Sequence, residues 1–246
     1  FISHLHGDHC FGLIGIISTF GMLGRTAALH IYAHKDLETM LKPQIDYFCN
    51  GLEYDIVFHS IDPTQQKVIY EDRSIEVETV PLRHRMPCCG FIFREKPTLP
   101  HIKRDMIDFY HIPVCYINNI KNGADWTTEE GDVIPNARLT TPAEKARAYA
   151  YCSDTIYLPA LHERIAGVSC LYHESTYTTA DADRAEMYFH STAAQAAQVA
   201  RDANAGRLLL GHYSSKYDDE RQLLKEAQEV FAQSQLTNEG MTIDLK

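Results

Sequence analysis

The feature that most constrains this chain is where its metal-binding residue types fall relative to its apolar runs. His4-Leu5-His6-Gly7-Asp8-His9 follows Phe1-Ile2-Ser3, His84 follows Ser74 to Val80, Asp154 follows Ala148 to Cys152, and His212 follows Arg207 to Gly211. Short runs rich in aliphatic and β-branched residues read as buried strands. Each ligand-type residue therefore sits just past a strand end, where loops converge into a site. Within the first segment, His4 and His6 alternate and can aim at one ion, while Asp8 and His9 turn toward a second. Gly7 allows the tight backbone between them. One loop does not supply enough donors for two ions, and His84, Asp154 and His212 are the candidates for the rest.

Strand patterns recur at Leu29 to Ala33, Asp55 to Ser60, Lys67 to Tyr70, Gly90 to Arg94, Val168 to His173 and Met241 to Leu245. Helical spacing is found at Phe11 to Met22, Lys35 to Phe48, Ile156 to Ile165, Thr192 to Ala203 and Glu220 to Gln233. The alternation predicts an α/β fold in a single domain over residues 1–246. The exception is about 95–141, which is charged and broken by Pro97, Pro100, Pro113 and Pro135, and reads as an inserted arm or long loop.

A net charge of −10 argues against a surface that grips polyanions everywhere, so charge placement matters more than the total. From Arg83 to Arg104 the chain carries six basic residues, Arg83, Arg85, Arg94, Lys96, Lys103 and Arg104, against the single acid Glu95. Such a strip, beginning beside a candidate ligand, suits a phosphate backbone. The seven cysteines form no CxxC and read as reduced thiols of a cytoplasmic protein. The longest apolar runs fall far short of the roughly 20 residues of a membrane span.

Taken together, these segments resemble the metallo-β-lactamase superfamily, through its HxHxDH signature, and its ribonuclease Z branch. Pro81-Leu82-Arg83-His84 is similar to the third metal motif, Cys152-Ser153-Asp154-Thr155 to the SGDT-like motif, and His212-Tyr213-Ser214-Ser215-Lys216-Tyr217 to the last histidine motif. His173-Glu174-Ser175-Thr176-Tyr177 resembles the HEAT loop, and His190-Ser191-Thr192-Ala193 the HST loop that opens a helix.

The resemblance implies a four-layer αβ/βα sandwich with its site along one edge between two sheets. Family members carry strands ahead of HxHxDH, so this chain is expected to lack the N-terminal strands. The resemblance also implies two zinc ions, with manganese as the alternative. His4, His6 and His84 would hold one, Asp8, His9 and His212 the other, and Asp154 would bridge them. Asp8 would accept a proton from the attacking water, and His190 would protonate the leaving 3′ oxygen with Glu174 fixing its ring. The implied substrate is precursor tRNA, cut at its 3′ trailer by a homodimer that grips the RNA with the arm. The alternatives are a phosphodiesterase acting on small or cyclic substrates and a non-catalytic RNA-binding relative.

Overall fold

The computed structural model describes residues 1–245 and forms two compact units, one of residues 1–94 with those from 148 onward, the other Glu95–Arg147. The larger begins with α1 (Gly7–Cys10), α2 (Gly12–Met22), β1 (Leu29–His34), α3 (Asp36–Phe48) and β2 (Ile56–Ile61). Then come β3 (Val68–Glu71), β4 (Ile75–Pro81) and β5 (Cys89–Glu95). The smaller unit holds β6 (His101–Ile102), α4 (Arg104–Phe109), α5 (Val114–Lys121), β7 (Trp126–Thr127), β8 (Val133–Ile134), α6 (Asn136–Leu139) and β9 (Thr140–Thr141). The larger resumes with β10 (Ala148–Cys152), α7 (Leu161–Arg164), β11 (Cys170–Glu174), a 3-10 turn at Thr179–Asp181 and α8 (Ala182–Tyr188). It closes with α9 (Ala193–Asp202), β12 (Leu208–Gly211), α10 (Arg221–Val230) and β13 (Ser234–Leu236).

In the larger unit, β1 and β2 pair in parallel, and α2 and α3 bury Ile17, Leu37 and Leu41 in the apolar cluster that includes Ile31 and Ala33 of β1. The second sheet has the order β13-β12-β11-β10-β5-β4-β3. Between the sheets lie Tyr32 and Ile61 from the first and Val77, Cys89 and Phe91 from the second. On the far face α9 lays Ala193, Ala196, Ala197 and Ala200, all buried, against Leu171, Leu208 and Leu210. Its small side chains let the helix lie close to the sheet, and α10 adds Leu223 and Ala227 to the same core. The result is four layers: helices, sheet, sheet, helices.

Strand direction decides where the site falls. β10, β11, β12 and β13 run parallel, so their carboxyl ends open on one edge. β5 is antiparallel to β10, which brings the start of β5, and the connection from β4 that carries His84, to the same edge. The first residues run between the sheets: Ile2 N–H donates to Tyr32 O at 2.9 Å, and Cys89 N–H donates to Ser3 O at 3.1 Å. His4 emerges from that seam.

Three sequence expectations change. The last strand is Ser234–Leu236 rather than Met241–Leu245; as a three-residue edge strand with a polar centre it lacks the apolar run that marks a buried one. Ile156 to Ile165 is helical only at Leu161–Arg164, because Pro159 interrupts the pattern. The 95–141 interval is no bare loop: its unit has three short helices and a core of Ile112, Ile120, Ile134 and Leu139. Two of the prolines there start helices instead of ending them, since Pro113 and Pro135 occupy N-cap positions.

Candidate active site

His4 is fully buried, and Ser3 Oγ lies 3.1 Å from its Nδ1, leaving Nε2 directed inward. His6 caps α1, and the short helix then presents Asp8 and His9. The glycine between them is required less by its dihedrals than by packing, because a Cβ on Gly7 would collide with the Phe11 ring. His84 is fixed by donating from Nδ1 to the Phe189 carbonyl at 2.9 Å. Phe189 itself adopts φ 61°, the left-handed conformation that costs a bulky residue energy and recurs at functional sites. His212 does the same with φ 58°, which swings its ring into the cleft directly after β12. The preceding Gly211 has no room for a side chain, since a Cβ there would strike the Tyr172 hydroxyl.

Asp154 occupies the centre. Its Oδ2 lies 3.7 Å from His4 Nε2, 3.7 Å from His84 Nε2 and 3.4 Å from His212 Nε2, while its Oδ1 lies 3.5 Å from His9 Nε2. Asp8 Oδ2 is 3.4 Å from His9 Nε2 and 4.0 Å from His212 Nε2. His6 Nδ1 lies 3.2 Å from His84 Nε2. Three overlapping groups result: His4, His6, His84 and Asp154; Asp8, His9 and His212; and Asp154, His190 and His212. A tetrahedral ion with ligand bonds near 2.0–2.1 Å holds its ligand atoms roughly 3.4 Å apart, so the spacing fits such ions. The donor set fits as well, because His4 Nε2 and His9 Nε2 are buried with no hydrogen-bond partner among the described residues.

The electrostatics are consistent with a cation-binding pocket. Burial, together with neighbouring imidazoles, pushes His4 down to about 4, and burial also lowers His84, so both stay neutral and able to ligate near pH 7. For Asp154, burial pushes upward but His9, His212 and His4 outweigh it and hold the carboxyl far below the usual range.

A second network adjoins this one. Glu174, at the end of β11, has no exposed surface, yet every oxygen is engaged. Oε1 accepts from Thr155 N–H at 2.9 Å and from His190 Nδ1–H at 2.8 Å. Oε2 accepts from the Thr176 hydroxyl at 2.6 Å and from Ser191 N–H at 3.1 Å. Burial lowers the His190 pKa, but Glu174 outweighs it and the net shift is upward. With its hydroxyl hydrogen given to Glu174, Thr176 Oγ1 accepts from His212 Nδ1–H at 2.9 Å. One carboxylate thus orients His190 directly and His212 through a hydroxyl.

All nine residues singled out from sequence lie together, and a cleft of about 250 Å³ is lined by His6, Asp8, His84, Asp154, His190 and His212. Arg85, Tyr177 and Tyr188 line it too and were not anticipated as site residues. Of the basic strip, Arg85 lines this cleft and stacks over Tyr188 at 4.9 Å, whereas Arg83 lies over Phe189. In the smaller unit Arg104 pairs with Asp108 and Lys103 donates to the Arg138 carbonyl. Sequence reading gave no role to Thr155, Thr176, Ser191 or the Phe189 carbonyl, although the first three stand in the SGDT-like, HEAT-like and HST segments; the Phe189 carbonyl left no trace in the sequence.

No family model matches the chain. It is 54% identical over 246 residues to ribonuclease Z of Phocaeicola vulgatus, covering all of this chain and 80% of that protein. To ribonuclease Z of Porphyromonas gingivalis it is 48% identical over 245 residues, covering 81% of that protein. Among solved structures it resembles the short form of human tRNase Z, with a TM-score of 0.66 at 20% identity over 100% of this chain and 78% of that one. The metallo-β-lactamase fold protein YhfI from Bacillus subtilis gives a TM-score of 0.59 at 16% identity, covering 97% of this chain and 74% of that one. The four layers are therefore those of the metallo-β-lactamase fold.

Proposed function

The chain belongs to the ribonuclease Z family, and from that premise we propose that it removes the 3′ trailer of precursor tRNA as a metal-dependent endoribonuclease with two zinc ions at the Asp154 cluster. The observation that carries this reading is a carboxylate, Asp154, set among four imidazoles, with the His190–Glu174 pair beside them. His4, His6 and His84 would hold one ion, Asp8, His9 and His212 the other, with Asp154 between them. Manganese is the alternative occupant, since imidazole and carboxylate donors accept both. When bound, the ions acidify water toward neutrality and offset charge on the phosphate oxygens.

The protein's own groups do the rest. Asp8 is largely exposed at the mouth of the cleft, where its carboxylate accepts a proton from the attacking water. Arg85 supplies a fixed positive charge to the RNA backbone. As the P–O3′ bond breaks, the 3′ oxygen takes the proton of His190, whose Nδ1 is anchored on Glu174 and whose other nitrogen serves the substrate. The products are a tRNA ending in a 3′ hydroxyl and a trailer carrying a 5′ phosphate. Glu95–Arg147 is the unit assigned to gripping the tRNA.

Self-association belongs to the same reading. Phe11, Ile16, Met22 and Leu23 along α1 and α2, with Tyr47 and Phe48 of α3, are exposed apolar side chains on neighbouring helices, and they suit a homodimer contact. No helix among the described residues is long and apolar enough to cross a membrane. All seven thiols are free, which supports a cytoplasmic protein.

The test is cleavage of a 3′-extended precursor tRNA by zinc-loaded protein. A single cut near the acceptor end that disappears in Asp8→Ala supports the reading. Hydrolysis of bis(p-nitrophenyl) phosphate without any cut in the precursor would reassign the enzyme to small phosphodiesters.

A further inference from the structure

His190 also borders a second cleft of about 220 Å³, whose lining shares no other residue with the first and includes none of the metal-binding residues. This cleft has a different chemistry from the first. Tyr157 and Ile156 form part of its wall, Gln195 another part, and α8 contributes the carboxylates of Asp183 and Glu186. These acids stand three residues apart, on one face of the helix. No cationic side chain other than His190 lines it, and among the described residues neither acid is recorded in an ion pair. The Gln195 side-chain oxygen is already committed to Thr192 N–H at 2.9 Å, which leaves its amide hydrogens.

We propose that this cleft is the subsite for the nucleotide immediately 5′ of the scissile phosphate, and that it selects bases carrying an exocyclic amino group. The inference rests on the proposed trailer-removing activity and deepens it. The proton leaves His190 for the 3′ oxygen, so the nucleoside attached to that oxygen lies against His190. Two carboxylates repel phosphate, and the basic residue Arg85 lines the first cleft, not this one. The cleft therefore takes the uncharged part of the nucleotide. Its volume is below the roughly 300–1,000 Å³ of drug-sized pockets, which suits a single base. Ionised carboxylates only accept hydrogen bonds, and adenine, cytosine and guanine offer an exocyclic amino group with two hydrogens where uracil offers only its single ring N3–H. Tyr157, half-buried against the core, gives the cleft an aromatic wall.

The geometry also links recognition to catalysis. α8 ends at Phe189 in the left-handed conformation, with His190 N–H donating to Ala185 O at 2.8 Å. The turn that presents the two acids is therefore the turn that places His190 and, through the Phe189 carbonyl, His84. Tyr157, Asp183 and Glu186 are positioning and specificity residues; none touches the reacting atoms.

The experiment places four precursor tRNAs, identical except for that nucleotide, in competition in one reaction and reads the product ratio. Wild-type protein is expected to favour A, C and G over U by roughly 10-fold, and Asp183→Ala/Glu186→Ala to bring the ratio close to one. A ratio measured within one sample is insensitive to the fraction of protein folded. Binding of the cleaved tRNA product ending in A or in U to zinc-loaded protein, followed by fluorescence anisotropy, provides a readout independent of turnover. It should show the same preference, lost in the double variant. Equal cleavage of all four by the wild type, or a preference untouched by the double variant, overturns the subsite and leaves the activity standing. Failure to cut any precursor overturns both.

Discussion

The surroundings of Glu174 and the Glu95–Arg147 unit show two ways of holding a chain in place. Glu174 is wholly buried, and its oxygens are matched by donors from three stretches of chain, Thr155, Thr176 and the adjacent His190 and Ser191. In the smaller unit the buried core is Ile112, Ile120, Ile134 and Leu139, while Phe109, Val114 and Val133 stay exposed. Its strands are two residues long, and its seven basic residues are offset by eight acids. Chemistry requires side chains fixed from several directions, because a buried charge without partners is costly and a misplaced proton donor is ineffective. A unit that only has to contact a large substrate can rest on a few apolar contacts and open locally at low cost.

The sharpest way to break this contrast is at the centre of the metal-binding group. Asp154→Ala should reduce precursor cleavage by roughly a thousandfold or more and strip the protein of zinc measured by mass spectrometry after dialysis. Metal retained at wild-type stoichiometry would remove Asp154 from the centre.

Next in size is His190→Ala, expected to cost roughly 10²–10⁴-fold in cleavage while zinc content holds. The pH profile sharpens this. Glu174 raises the His190 pKa, and the proton donor proposed for His190 would work only when protonated, so activity is expected below that pKa and should fall as pH rises through it. Glu174→Gln should therefore shift the alkaline limb toward lower pH. A limb unmoved by that change would show that some other group donates the proton.

Thr176→Val tests whether the network reaches the metal side. It removes the acceptor for His212 Nδ1–H and should weaken zinc affinity about 10–100-fold in competition with a chelator. The smallest effect on the chemistry is expected from Leu139→Ala, a buried residue of the smaller unit. It should destabilise that unit by about 2–5 kcal/mol, seen as faster amide exchange over residues 95–147, with bis(p-nitrophenyl) phosphate turnover changed less than about twofold. Loss of turnover in step with exchange would mean the units are not held separately.

Much of the site could be read from sequence because its residues are local to strand ends. The segment His4 to His9, and His84, Asp154 and His212, each stand beside an apolar run whose period is visible without any contact map. β13, the breaks around α7 and the helices of the smaller unit could not be read that way. Ser234-Gln235-Leu236 becomes a strand only because β12 offers it an edge, and α4, α5 and α6 are too short to show a full apolar stripe.

Sequence alone determined which residue types would meet, since periodicity and turn signals act over a few residues. Tertiary structure alone decided how they are held. Thr176 lies between Glu174 and His212, the Phe189 carbonyl fixes His84, and His190 faces two clefts at once. These relations join residues tens of positions apart through hydrogen bonds whose distances and directions exist only once the parallel strands have brought their ends to one edge.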